Sequence, residues 1–319
     1  MTESKPTRDG FGEALVELGR KNPDVVVLSA DLTSSTRANY FMEVFPERFF
    51  KMGVAEQDMI GTAAGFALMG KVPFACTFGI FATGKTWEQL RVSVCSMKLN
   101  VKLAGSHGGI TVGADGATHQ ALEEITLMRA LSNMTILIPC DYIEAKKATL
   151  AAYSFAGPVY LRLGKETVPI VTREDDPFEI GKANILREGS DLTIIACGIM
   201  VAEALRAADE LEKKGIGIKV INLHTIKPID NKTIIDAAKH TGAILTAEEH
   251  TVMGGLGGAV AEVVVRNYPV PMDIVGVNDT FGQSGKPHEL VKLYNLTYEN
   301  LIERVKLLIR RKQGFRSKY

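Results

Sequence analysis

Strand-like runs and helix-like stretches alternate along this chain almost from end to end, and that alternation leaves few folds open. DVVVLSA (24–30), KVPFACTF (71–78), VKLAG (101–105), TILI (135–138) and VYLRL (159–163) are short, apolar and largely rich in β-branched residues. Runs of this kind fit strands buried on both faces. Between them, residues 10–21, 84–97, 121–131 and 142–153 read as helices. Parallel strands need crossover connections, usually helical, so the pattern predicts an α/β fold with a largely parallel sheet.

The pattern breaks at VTREDDPFEIGKANILREGS (171–190), which is charged and holds Pro177 and Gly181. This reads as an interdomain linker with room for one edge strand. Alternation restarts with DLTIIAC (191–197), GIKVINL (217–223), GAILTAEE (242–249) and MDIVGV (272–277), separated by helices at 200–213, 231–240 and 258–265 and closed by a helical tail at 296–311. A chain of 319 residues exceeds one average domain. The expected organisation is a first domain at 1–172, a linker at 173–190 and a second domain at 191–319.

Lys plus Arg and Asp plus Glu both number 37, so no net field argues for nucleic acid or an anionic membrane as partner. No apolar run approaches a membrane span, and the polar start MTESKPTRDG is no secretory signal. Cys76, Cys95, Cys140 and Cys197 are scattered without metal-type spacing. They read as reduced, buried apolar residues of a cytoplasmic protein.

Ligands of parallel α/β sheets bind beyond the carboxyl ends of the strands. The loops expected there in the first half, 31–37, 78–84 and 105–120, offer Asp31, Ser34, Ser35, Phe78, Phe81, His107, Asp115 and His119. Phe78 and Phe81 also suit a plain core, and Asp115 suits a turn in GADG. The histidines lie among glycines, where they serve equally as polar site groups or solvated ones. Beside these loops, KMGVAEQDMIGTAAGFALMGKVPFACTFGIF (51–81) reads as a glycine entry, a helix, a turn and a buried strand. Glu56 falls in its first helical turn. It complements the helix dipole there, or it sits where apolar surroundings raise its pKa so that it shares a proton with a ligand. Gly61 and Gly65, about one turn apart, would let another helix approach closely.

HGGITVG lacks the dinucleotide GxGxxG pattern. GGLGG (254–258) before an apolar helix has the flavour of an anion site at a helix N-terminus, with helix–strand packing as the plainer reading. His224, His240, His250 and His288 have no metal-ligand spacing.

GVAEQ (53–57), PFACTFGIF (73–81) and SHGGITVGADGATHQ (106–120), in this order, resemble the pyrimidine-binding domain of thiamine-diphosphate enzymes, and of transketolase in particular. The second half is similar to the C-terminal domain that follows in the same family. Whole transketolases begin with a further domain bearing a GDG…N metal and diphosphate motif, which does not occur here. The chain thus resembles the C-terminal subunit of a split transketolase. The fold this implies is two consecutive three-layer α/β domains with mainly parallel sheets.

The resemblance implies roles residue by residue. Glu56 matches the carboxyl that faces the pyrimidine nitrogen N1′ of thiamine diphosphate. Phe78 and Phe81 match aromatics that hold the ring, and Asp31, with Leu32 beside it, matches a cofactor-holding position. The family usually adds a Tyr three residues after the second Phe. Here that residue is Gly84, so another group must close the ring pocket, with Trp87 the candidate. His107 and His119 match catalytic histidines of the sugar channel, and Asp115 another channel residue. Arg8, Ser35 and His107 match the channel mouth that binds the substrate phosphate. A remaining phosphate arginine falls on Lys165, with Arg162 slightly earlier on the strand; lysine supplies a point charge in place of a planar fork.

The implied activity is reversible transfer of a two-carbon ketol unit between sugar phosphates, as in the pentose phosphate pathway. No metal ligands are expected here. Mg²⁺ (or Ca²⁺) and the diphosphate would be held by an N-terminal subunit, in an assembly of two chains of each kind. Gly61 and Gly65 would face a helix at the interface, and the second domain would serve dimer contacts. The β subunit of a 2-oxo-acid dehydrogenase shares the two-domain layout and length. A deoxyxylulose-phosphate-synthase-like enzyme would also suit GVAEQ, and a non-catalytic paralogue is a third reading.

Overall fold

The computed structural model describes residues 3–316; residues 1–2 and 317–319, at the outer ends of the two expected domains, lie outside them. The first half builds a seven-stranded sheet whose spatial order is Thr225–Lys227, Thr135–Leu137, Val159–Arg162, Lys102–Ser106, Val72–Phe78, Val25–Ser29 and Phe49–Lys51. All its pairings are parallel except the one between Thr225–Lys227 and Thr135–Leu137. The apolar runs are central strands for the expected reason. Every residue of Val25–Ser29, Val72–Phe78 and Lys102–Ser106 is buried, because helices cover both faces.

One face carries helices Thr7–Lys21 and Tyr142–Ser154, packed through Phe11, Leu15, Ala145 and Ala148 against Val27 and Phe74. Burying the larger of these, Phe11, Leu15, Val27 and Phe74, contributes about 1.5–3 kcal/mol each. The other face carries helix Glu56–Leu68, through Met59, Ile60 and Ala63. That cluster continues without a break into the second half, through Ile195, Leu223, Ile234 and Val260.

The second sheet has the order Met272–Val277, Ile244–Thr251, Leu192–Ala196, Ile218–Asn222 and Asn184–Arg187. Its edge strand Asn184–Arg187 pairs antiparallel and falls inside the segment expected as linker. Helices Asn231–Thr241 and Leu256–Asn267 face the first domain, while Met200–Glu212 and Tyr298–Arg316 lie on the far side. The second half also lends Thr225–Lys227 to the first sheet, so the two halves share a sheet as well as a core.

One expectation needs correction, and one alternative is decided. The helix expected at 84–97 starts earlier, and its first and last stretches, Phe81–Lys85 and Leu90–Cys95, are π-helical. The Thr83 and Thr86 hydroxyls donate to the carbonyls of Gly79 and Ala82, four residues back, a bonding mode that bends helices. At 254–258 the plainer reading, helix–strand packing, holds: a Cβ on Gly257 would fall 2.7 Å from Ile274 of the neighbouring strand. Glu248 from the preceding strand accepts from the Leu256 and Gly257 amides at 2.6 and 2.8 Å, so no free anion cradle remains.

Candidate active site

Because the first sheet is parallel over six strands, the loops at 30–37, 53–56, 79–85, 107–120 and 163–166 all leave the same edge. Register does the finer placement. Phe78 lies opposite Ser106 on the neighbouring strand, and the chain turns sharply at the next residue, His107, whose φ is +61°. The turn lays the imidazole on the Phe78 ring, with centroids 3.9 Å apart and planes within 22°. Left-handed backbone is uncommon outside glycine, with Asp and His among the better tolerated residues. Asp31 shares it, with φ of +59°.

Phe78 and Phe81 stack at 6.2 Å with planes 13° apart, and His119 stands edge-on to both rings, at 6.2 and 5.4 Å. The Ser106 hydroxyl pairs with His107 Nδ1 at 2.9 Å, and Thr118 with His119 Nδ1 at 3.0 Å. Burial pushes the His107 imidazole down to about 3, and Arg8, Lys165 and Arg37 push in the same direction. The ring is therefore neutral at ordinary pH.

Glu56 opens helix Glu56–Leu68 and is 3% exposed. Its surroundings are not purely apolar as expected: Lys85 Nζ donates to its Oε2 at 3.1 Å and lies 4.9 Å over the Phe81 ring. The π-helical turn puts Lys85 there, and Gln57 Nε2 ties that turn to the Glu56 helix through the Lys85 carbonyl at 3.0 Å. Trp87 does not close the ring pocket. Its indole N–H donates to the Leu127 carbonyl at 3.1 Å, and the ring packs on the core. A Cβ on Gly84 would meet nothing within 4 Å.

A cationic group lies at the other end of the loops. Arg8 donates to the Ser35 carbonyl at 2.9 Å, and its buried Nε has no partner. Lys165 Nζ donates to the Val112 carbonyl at 3.0 Å and faces Asp115 at 3.6 Å. Asp31 is exposed, and Leu32 and Ser35 are half-buried. Arg162 is the one expected substrate residue that does not join them. It is buried, with Nε 2.5 Å from Glu124 Oε1 and Nη2 2.6 Å from the Glu249 carbonyl. An arginine so committed has no free fork for a phosphate. Sequence reasoning missed Lys85 and Arg37, the latter ion-paired to Asp9 at 2.5 Å. Only the folded loops bring them to the site.

A buried acid at a helix start, two stacked phenylalanines and two histidines at the carboxyl edge of a parallel sheet define a site that can grip a flat heteroaromatic ring and hold a proton against it. The comparisons give the family. Residues 3–171 match the transketolase pyrimidine-binding domain, and residues 181–301 match the transketolase C-terminal domain. The chain is 47% identical over 304 residues to a putative transketolase C-terminal section of Methanocaldococcus jannaschii, covering 94% of this chain and 95% of that one. It is 43% identical over 295 residues to a 6-deoxy-6-sulfo-D-fructose transketolase subunit of Clostridium sp., covering 92% of each. A solved split-gene transketolase, described as an inactive β4 tetramer, superposes with a TM-score of 0.91 at 48% identity, over 96% of this chain and 99% of that chain. This chain belongs to the transketolase family and corresponds to the C-terminal section of a split transketolase.

Proposed function

We propose that this chain is one subunit of a two-chain transketolase that moves a two-carbon ketol unit between anionic sugars with thiamine diphosphate. The observation that carries this reading is the Glu56 carboxyl, nearly closed off from water, beside the Phe78–Phe81 ring pair. When bound, the cofactor supplies the electron sink for breaking and making the carbon–carbon bond. The residues here do the rest. Glu56 holds a proton at the pyrimidine nitrogen, after Lys85 gives up its bond to the carboxylate. Phe78 and Phe81 hold that ring by stacking and exclude water. Neutral His107 and the half-buried His119 accept and donate hydrogen bonds to sugar hydroxyls. Asp31 and Leu32 border the cofactor, and Ser35 and Asp115 the sugar.

Arg8 and Lys165 attract the anionic end of the sugar. That role demands only an anion, and one relative is named for a sulfonated sugar. Metal and diphosphate belong to an N-terminal partner. Beside Glu56 a face is left open by Val54, Leu68, Met69, Val92 and Met97, which are 73%, 60%, 81%, 52% and 54% exposed. Gly61 and Gly65 lie on it with nothing within 4 Å of a would-be Cβ, room for a close helix. The inactive state of the tetramer made of the related chain alone supports the need for that partner.

Glu56→Gln tests the reading. Assayed with the N-terminal partner, thiamine diphosphate and Mg²⁺, the variant should lose ketol transfer by at least about a hundredfold, the ordinary scale for a lost proton-transfer group. Its circular dichroism should be unchanged. Wild-type turnover in that variant would remove the mechanism.

A further inference from the structure

The second domain is reserved for dimer contacts by the family resemblance, yet it reaches into the first domain on both sides of the segment that bears His107, Asp115 and His119. Near its start, Glu249 Oε1 accepts from the Thr111 amide at 2.7 Å. Gly109, with φ of +85°, lies so close to this carboxylate that a Cβ would sit 2.1 Å from Glu249 Cδ. Glu249 is itself fixed, because Arg162 donates to its carbonyl at 2.6 Å while pairing with Glu124 at 2.5 Å. At the far end, the buried Gln120 amide donates to the Ile110 carbonyl at 3.1 Å and to the Gln283 carbonyl at 2.9 Å. A Cβ on Gly282 would fall 1.8 Å from Gln120 Oε1, and one on Gly116 would fall 2.6 Å from Ser284 Oγ. Three glycines of the segment, Gly109, Gly113 and Gly116, thus lie directly against the second domain, while Gly108 faces Arg162 of the first.

We propose that the C-terminal domain is the template of the sugar channel: Glu249 and the loop at 281–284 clamp residues 107–120, which makes Glu249 and Gln120 positioning residues for His107 and His119. The proposal rests on the reading of this segment as the sugar channel. The reason for two clamps is physical. His107 is held in an uncommon backbone conformation, and such a residue persists only where its surroundings over-determine it. Displacing a reacting group by about 1 Å can cost up to about a hundredfold in rate.

The test compares Glu249→Leu, Glu249→Gln, Gln120→Leu and Gly282→Ala. Amide hydrogen exchange is read on the full chain. Kinetics are read on the complex with the N-terminal partner, using xylulose 5-phosphate and ribose 5-phosphate as probes. Residues 107–120 should exchange about tenfold faster or more in E249L, Q120L and G282A, while helix Glu56–Leu68 keeps its protection. Sugar KM should rise in these three, with cofactor affinity unchanged. E249Q retains an acceptor for the Thr111 amide and should restore most of both. Should E249L fail to fold, Q120L and G282A carry the test. Wild-type exchange and KM in folded Q120L and G282A would overturn the proposal, as would equal losses in E249Q and E249L. The exchange measurement needs no sugar, so a complex with no ketol transfer but a loosened segment would refute the functional reading and leave the clamp standing.

Discussion

His107 carries the sharpest consequence at the scale of single residues. Its imidazole is 3% exposed and held down to about 3 by burial, whereas a free histidine titrates near 6.5. Between these values the unfolded chain binds the proton and the folded chain does not. The contribution is therefore fully present above pH 6.5 and is lost as the pH falls towards 3, with a slope of about 1.4 kcal/mol per pH unit for one proton. His107→Asn should flatten the pH dependence of urea stability between pH 4 and 6 by up to that slope; an unaltered dependence would mean that the ring is not held neutral. The residue types alone left the histidines of the glycine-rich loop open between site and solvent; the family resemblance singled them out, and the fold stacks His107 on Phe78. Lys85 was not singled out. It lies 29 residues from Glu56, and only a π-helical turn, which no simple periodicity announces, swings it onto the carboxylate.

Helix Glu56–Leu68 concentrates the argument at the scale of elements. Its inner face, Met59, Ile60, Ala63 and Ala64, is buried, and its outer face holds Gly61 and Gly65. Glycine inside a helix costs about 1 kcal/mol relative to alanine, and two on an open face suit the close helix contact proposed for the partner. Gly61→Leu with Gly65→Leu should raise the melting temperature of the isolated chain and abolish assembly with the N-terminal partner in sedimentation. Retained assembly would move the interface elsewhere. The long elements were legible as apolar runs and helical stretches. The three-residue strands Ser4–Pro6, Phe49–Lys51, Thr167–Pro169 and Thr225–Lys227 were not, since they are too short for a pattern of their own and are fixed by their neighbours. Arg162 misled for another reason. The family resemblance placed a phosphate arginine at Lys165 with Arg162 slightly earlier on the strand, but its partners Glu124 and Glu249 come from distant segments and draw it into the interior.

The whole molecule is two α/β units fused through a common core and a shared sheet, and no described helix is long and apolar enough to cross a membrane. Fusion of this kind suits a chain whose second domain shapes the loops of the first. On this account the chain offers a pyrimidine pocket and a cationic channel mouth, and a sister polypeptide supplies the grip on metal and diphosphate. The measurement that bears on this most directly is a calorimetric titration of thiamine diphosphate with Mg²⁺ into the chain, first alone and then with the N-terminal partner. The account predicts no tight binding to the lone chain and stoichiometric binding once the partner is added. Tight, stoichiometric uptake by the lone chain would contradict it.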